Sequence, residues 1–226
     1  MNANTQYQII DVFMQFIGWY LGCRLFINNI KTRAWIISLS SSFILSIYGI
    51  MAFNIFMYSG FNVDQLLSSD IYSSINQQYA HNIFAGSMIL DLIIGMIDYR
   101  SQIQLMTGWI HHIIYLIICY FFASSKYSAL FVLCYIVEIP TFILGVCKFF
   151  PTVNWLKTLF TFVFFICRIC FLTFIAIKYI FHETNITVII CLVFSFFLNS
   201  FWFYKMINPR KIIRDPGSNS AKVSLA

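Results

Sequence analysis

The sequence predicts an all-α, polytopic membrane protein of about seven transmembrane helices, and three observations predict it. Hydrophobic residues make up 60% of the 226-residue chain and charged residues 10%, against about 25% charged in an ordinary soluble domain. The apolar residues fall into runs close to the ~20 helical residues needed to cross a ~30 Å hydrocarbon core. The basic residues gather in alternate connections between those runs, the pattern that sets membrane orientation.

The first run, Ile9–Phe26, is the shortest and holds Asp11, Gln15 and Arg24. It has no basic leader and no small-residue cleavage site, so it reads as a retained helix. Ala34–Tyr58 is the second run. Tyr79–Asp98, the third, begins with few large apolar side chains. Ile103–Ala123, Tyr127–Cys147, Trp155–Phe181 and Ile186–Ile207 follow. Helices are expected throughout, because an unpaired backbone amide in lipid costs several kcal/mol. The alternation and regular turn signals of a membrane β-barrel are missing. These runs divide the chain into residues 1–33 (one helix and a basic loop), 34–207 (a six-helix membrane unit) and 208–226. The last segment is rich in Ser, Pro and basic residues and is expected to be disordered in the cytosol.

Of the fourteen lysines and arginines, Arg24, Lys31, Arg33, Arg100, Lys148, Lys157, Lys205, Arg210, Lys211, Arg214 and Lys222 fall on one predicted side. Lys126 and Lys178 fall on the other, and Arg168 lies within a run. The bias puts the carboxyl end in the cytosol and the amino end outside or in a lumen. The net charge of +6 therefore reads as topology and not as nucleic-acid binding. The seven cysteines lie in or beside apolar runs and read as small packing residues. Asn185-Ile186-Thr187 fits a glycosylation sequon, but it stands almost against the membrane.

Polar residues recur at one depth. Asp91, His111 with His112, Glu138, Arg168 and Asn199 each fall about nine to thirteen residues into a different run, near the midplane at ~1.5 Å per residue. Ionisable groups there usually pair or line a bundle interior. Glu138 and Arg168 are candidates for an ion pair or for ligand contact, and Asn199 for an interhelical hydrogen bond. Asp98 lies seven residues from Asp91 on the same face and marks the cytosolic end. His81 and His182 sit at outer helix ends, where an interfacial histidine needs no function. Adjacent helical residues point about 100° apart, so the His111-His112 pair does not suit joint chelation and no metal site is expected. A neutral histidine in such a layer can accept a proton from an amine or hydroxyl.

The ordered set Asp91-Leu92, Trp109-Ile110-His111-His112, Glu138-Ile139-Pro140-Thr141-Phe142, Arg168, and Asn199 with Trp202 resembles the TLC-domain family, which includes ceramide synthases. The resemblance covers roughly Ala34 to Ile207. It implies a ring of six helices plus a leading helix around a lipid-sized cavity. In ceramide synthases an acidic pair follows the histidines, whereas here Ile113-Ile114-Tyr115-Leu116-Ile117-Ile118 follows and no aspartate occurs between Asp98 and Asp215. The Glu-x-Pro-x-Phe form is more similar to the non-synthase branch, whose common theme is membrane lipid composition.

Two functions follow from the resemblance. One is a protein that binds membrane lipid in a central cavity and contributes to lipid homeostasis, with Asp91, Glu138, Arg168, Asn199 and Trp202 lining the cavity. The other is an acyltransferase that draws acyl-CoA as co-substrate from the cytosol. It would use His111 or His112 as general base, Glu138 as the orienting partner, and Arg168 or Asn199 against the thioester or headgroup. An ion or proton channel would use the same layer but lacks a recognisable filter. No cofactor and no nucleic-acid partner is expected, a homo-oligomer is compatible with the pattern, and the endoplasmic reticulum or another endomembrane is the expected site.

Overall fold

The computed structural model describes residues 3–68, 76–123, 125–182 and 185–208; the basic tail read as disordered and part of the loop holding Asp70 lie outside the described residues. Every regular element among the described residues is helical. In order these are α1 (Ala3–Arg24), α2 (Ile30–Arg33), α3 (Ile36–Tyr58), α4 (Val63–Leu67), α5 (Gln77–Asp98), α6 (His111–Ala123), α7 (Ser128–Cys134), α8 (Glu138–Phe149), α9 (Asn154–Phe164), α10 (Phe171–Ile180) and α11 (Ile186–Ile207). Irregular turns join several of them into longer rods. A π-helical turn, Leu105–Ile110, leads into α6; a 3₁₀ turn, Tyr135–Val137, joins α7 to α8; a π-helical turn, Phe165–Cys170, joins α9 to α10.

Helical segments stand at each expected run. Five are long and apolar enough to cross a membrane: Ile30–Tyr58, Gln77–Asp98, Ser128–Phe149, Asn154–Ile180 and Ile186–Ile207. Gly108–Ala123 is apolar but shorter. Helix α1 has 22 residues, yet the polar residues that weaken its run, Asp11 and Gln15, are hydrogen-bonded to each other along its surface.

Local chemistry explains the boundaries. Asn76 caps α5 by accepting from the Tyr79 N–H at 3.0 Å, and Asn185 caps α11 by accepting from Thr187 and Val188. An asparagine oxygen satisfies amide groups that a first helical turn leaves open. Pro140 has no N–H to give the carbonyl of Ile136, so the rod loosens just before it, into the 3₁₀ turn.

Helix α3 is the hub, packing on α5, α7 and α8. Gly49 makes this possible. A Cβ there would stand 2.6 Å from the Tyr135 carbonyl carbon and closer still to the Ile136 nitrogen, so α3 rests directly on the backbone of the 3₁₀ turn. Helix α1 lies along α5, with Val12 and Phe13 over Gly86. Helix α5 is enclosed over 56% of its apolar stretch, and α11 over only 17%. The exposed side chains of α11, Ile190, Phe197 and Phe201 among them, suit lipid contact.

One end of the bundle gathers basic residues by direct contact. Asp98 accepts from the Tyr20 hydroxyl and pairs with Arg24 Nη2 at 3.0 Å. Arg33 Nε lies 3.0 Å from the other carboxylate oxygen, but its N–H does not point along that line, so this is a charge contact and not an aligned hydrogen bond. Lys148 sits over the Trp35 ring at the same end. Asp98, expected only to mark the cytosolic end, is the anchor that ties α1 and the loop after it to α5. All seven cysteines are free, four of them only partly buried or exposed.

Candidate functional site

Three irregular turns carry the polar layer. His111 follows the first π-helical turn, Glu138 follows the 3₁₀ turn, and Arg168 lies inside the second π-helical turn. Such breaks re-aim side chains that a regular helix would direct elsewhere, and π turns are frequent at functional sites. The sequence gives no periodic signal for them. Below the first, Ile103 wedges between Gly95 and Gly108, where a Cβ at either glycine would collide with it.

Arg168 is the most constrained member. Its Nε donates to the Val137 carbonyl at 3.0 Å, Nη1 to Asn199 Oδ1 at 3.0 Å, and Nη2 to Thr141 Oγ1 at 2.7 Å. Asn199, buried, passes its own amide to the Ser195 carbonyl at 2.8 Å. The guanidinium is thus held by three neutral acceptors from α8, its preceding turn and α11. The ion pair with Glu138 considered from sequence does not form. The Val137 carbonyl and the Thr141 hydroxyl stand on either side of Glu138 in the chain and occupy the donors that a carboxylate would need. Glu138 has neither a hydrogen bond nor an ion pair among the described residues, and it is only half-buried.

Asp91 and the histidines form a second group. Tyr99, turned back from the end of α5, donates to Asp91 Oδ1 at 2.6 Å. Burial, and then the charge of Asp91, push the Tyr99 hydroxyl above its usual range, which keeps it a donor. Asp91 Oδ2 stands 3.7 Å from His112 Nδ1, beyond hydrogen-bond length. The acid nearest the pair is therefore Asp91, and not Glu138, which was expected to orient it. His111 packs in tilted geometry against Tyr115 at 4.6 Å and Trp202 at 5.2 Å between ring centroids. Trp202, expected to line the cavity, touches the histidine but lines neither of the two chambers at this site. The Nδ1 atoms of His111 and His112 are both buried without a hydrogen-bond partner. Most buried polar atoms find a partner, and those that do not need an explanation.

Two chambers meet here. The polar one, about 70 Å³, is lined by Ser41, Asp91, His111, His112, Glu138 and Arg168, among others. The apolar one, about 60 Å³, runs beside Tyr115, Phe131, Leu172, Leu192 and Asn199. Phe84 and Glu138 border both. The resemblance implied a lipid-sized cavity; the side chains instead leave room on the order of a few waters in each chamber. Among the described residues no group of three or more His, Cys, Asp or Glu is arranged to hold a metal ion.

Sequence reasoning passed over His81. It is buried, with Nδ1 2.8 Å from the Tyr135 hydroxyl and Nε2 2.8 Å from the Ser128 hydroxyl. Its position four residues into α5 looked interfacial, and the partners that bury it come from α7 and the 3₁₀ turn after it, some fifty positions away.

No family model matches the chain, and neither does any curated protein or solved structure.

Proposed function

We propose that this multi-pass membrane protein is of the TLC-domain type, binds the polar end of a membrane lipid between its helices and contributes to membrane lipid homeostasis. The observation that carries the reading is the polar chamber. His111 and His112, each with a buried Nδ1 that has no hydrogen-bond partner, line it together with Glu138, and an apolar chamber borders it at Phe84 and Glu138. A head that hydrogen-bonds to the two histidine nitrogens and donates to Glu138 satisfies these groups, and the adjoining chamber takes the first part of its chain. The remainder of the chain lies outside the two chambers, among helices or in the bilayer, because the enclosed space is small.

Contact order supports the family reading. Helix α3 touches α5, α5 touches α6, α8 touches α3 and α9, and α10 touches α11. The His111–Trp202 contact then links α6 to α11. Six rods following one another in this way are what a TLC-like ring requires, with α1 outside it against α5. The basic residues grouped around Asp98 and Trp35 support a topology with that end in the cytosol and the amino terminus on the far side, in the endoplasmic reticulum or another endomembrane.

A second reading is favoured by Asp91. The chain lacks the acidic pair after its histidines, but Asp91 brings a carboxylate to His112 from α5. An acyltransferase could use that pairing to steady a histidine acting as general base. Mass spectrometry of lipid extracted from the purified protein tests the first reading. Incubation with acyl-CoA and candidate acceptors tests the second. A protein that carries no lipid above the detergent background would refute the binding reading, and one that forms no acyl-CoA-dependent product would refute the enzyme.

A further inference from the structure

At the basic end, two guanidinium groups converge on one carboxylate. Arg24 and Arg33 both contact Asp98, and no other carboxylate among the described residues pairs with them. Lys31, exposed, lies between them in sequence. The end therefore keeps a surplus of positive charge held in fixed geometry. Each guanidinium has five N–H donors, and both meet Asp98 as charge contacts at 3.0 Å, not as aligned hydrogen bonds. The Arg33 Nε–H is buried without an aligned acceptor, while the Arg24 side chain is half-exposed. Beside these charges the chain turns outward, and Leu25 and Phe26 are 79% and 86% exposed, with Ile97 of α5 at 81%. A water-facing end has no reason to present three such side chains. An interfacial one does, with apolar groups among acyl chains and cations at headgroup depth.

We infer that Arg24, Lys31 and Arg33 form a binding site for the net-negative headgroup of an anionic phospholipid in the leaflet at this end, with Leu25 and Phe26 inserted beside its chains. Guanidinium forks suit phosphate oxygens, and Asp98 holds the two arginines ready in the absence of lipid. The adjoining apolar side chains commit the site to a phospholipid and not to a free anion. Asp98 and Asp91 of the polar chamber lie seven residues apart on α5, about 10 Å along the helix. This inference does not depend on the function proposed above.

The test is native mass spectrometry of the full chain in detergent with added phosphatidylserine or phosphatidylcholine. The unmodified protein is expected to retain phosphatidylserine preferentially. An Arg24→Gln, Lys31→Gln variant should lose about fivefold of that preference per charge removed, at ~1 kcal/mol each, while Arg33 and Tyr20 keep Asp98 anchored. A Leu25→Ser, Phe26→Ser variant, which alters no charge, should lower retention of both lipids. Equal retention of the two lipids by the unmodified protein, or an unchanged preference in the charge variant, would overturn the inference. So would displacement of phosphatidylserine by an equal concentration of inorganic phosphate, since the site would then be one for free anions.

Discussion

Two sets of histidines stand in one bundle, His81 buried and His111 with His112 partly buried, and their surroundings differ in kind. Both ring nitrogens of His81 meet a hydroxyl at 2.8 Å, and aromatic rings of Phe131 and Tyr135 enclose it. His111 and His112 are partly enclosed, and each leaves a buried Nδ1 without a partner beside a polar chamber. A fully satisfied network stiffens a core, whereas an unsatisfied polar group costs free energy that something must offset. The contrast supports the proposed function, in which His81 belongs to the fold and the His111-His112 pair to the site. The same contrast separates Arg168, fixed by three acceptors, from Glu138, fixed by none.

The comparison breaks most easily at Arg168. Arg168→Met should destabilise the protein by ~3 kcal/mol or more, because Asn199, Thr141 and the Val137 carbonyl lose their common donor. Adding Glu138→Gln should recover little, since no ion pair links the two; full recovery in a double-mutant cycle in thermal or denaturant unfolding would restore the pair that the geometry excludes. His81→Ala comes next, at ~2–3 kcal/mol, for two stranded hydroxyls and a cavity. If it instead left stability untouched and altered bound lipid, the two classes of histidine would be reversed. Tyr99→Phe should cost ~1 kcal/mol for one hydrogen bond to Asp91, read as a lower unfolding midpoint. Glu138→Gln alone should change stability by less than ~0.5 kcal/mol, because the side chain has no partner to lose; a loss as large as that of Arg168→Met would reveal an unrecognised contact.

The helical class and the positions of the apolar runs were legible because membrane crossing imposes length and composition directly on sequence. The polar layer was legible for the same reason, as a common depth reached independently in separate runs. Partner choice was not. Depth places Glu138 and Arg168 together, but the Pro140-loosened turn offers the Val137 carbonyl and Thr141 in place of the carboxylate. Tyr99 reaches Asp91 from beyond the helix end, a fold-back that no periodicity announces. His81 was misread because burial depends on which helix leans across it, and α7, which packs directly on α5, comes from some fifty positions further along the chain. Arg24 and Arg33 were read from sequence only as topology charges, and their shared contact with Asp98 required α1 to be laid against α5.

The central claim is that the unsatisfied pair serves a bound molecule and not the fold, and lipid analysis of His111→Asn and His112→Asn tests it most directly. Asparagine keeps polarity and some hydrogen-bonding capacity but cannot act as a base near neutral pH. Each variant, purified beside the unmodified protein, is measured for unfolding midpoint, for co-purified lipid by mass spectrometry, and for product formed from acyl-CoA. The account predicts midpoints within the range of Glu138→Gln, with the identity or amount of retained lipid changed. If the pair is also the base of an acyltransferase, a loss of product by ~10²-fold or more accompanies it. Variants that unfold as readily as His81→Ala, while carrying the same lipid as the unmodified protein, would contradict it and return the pair to the core.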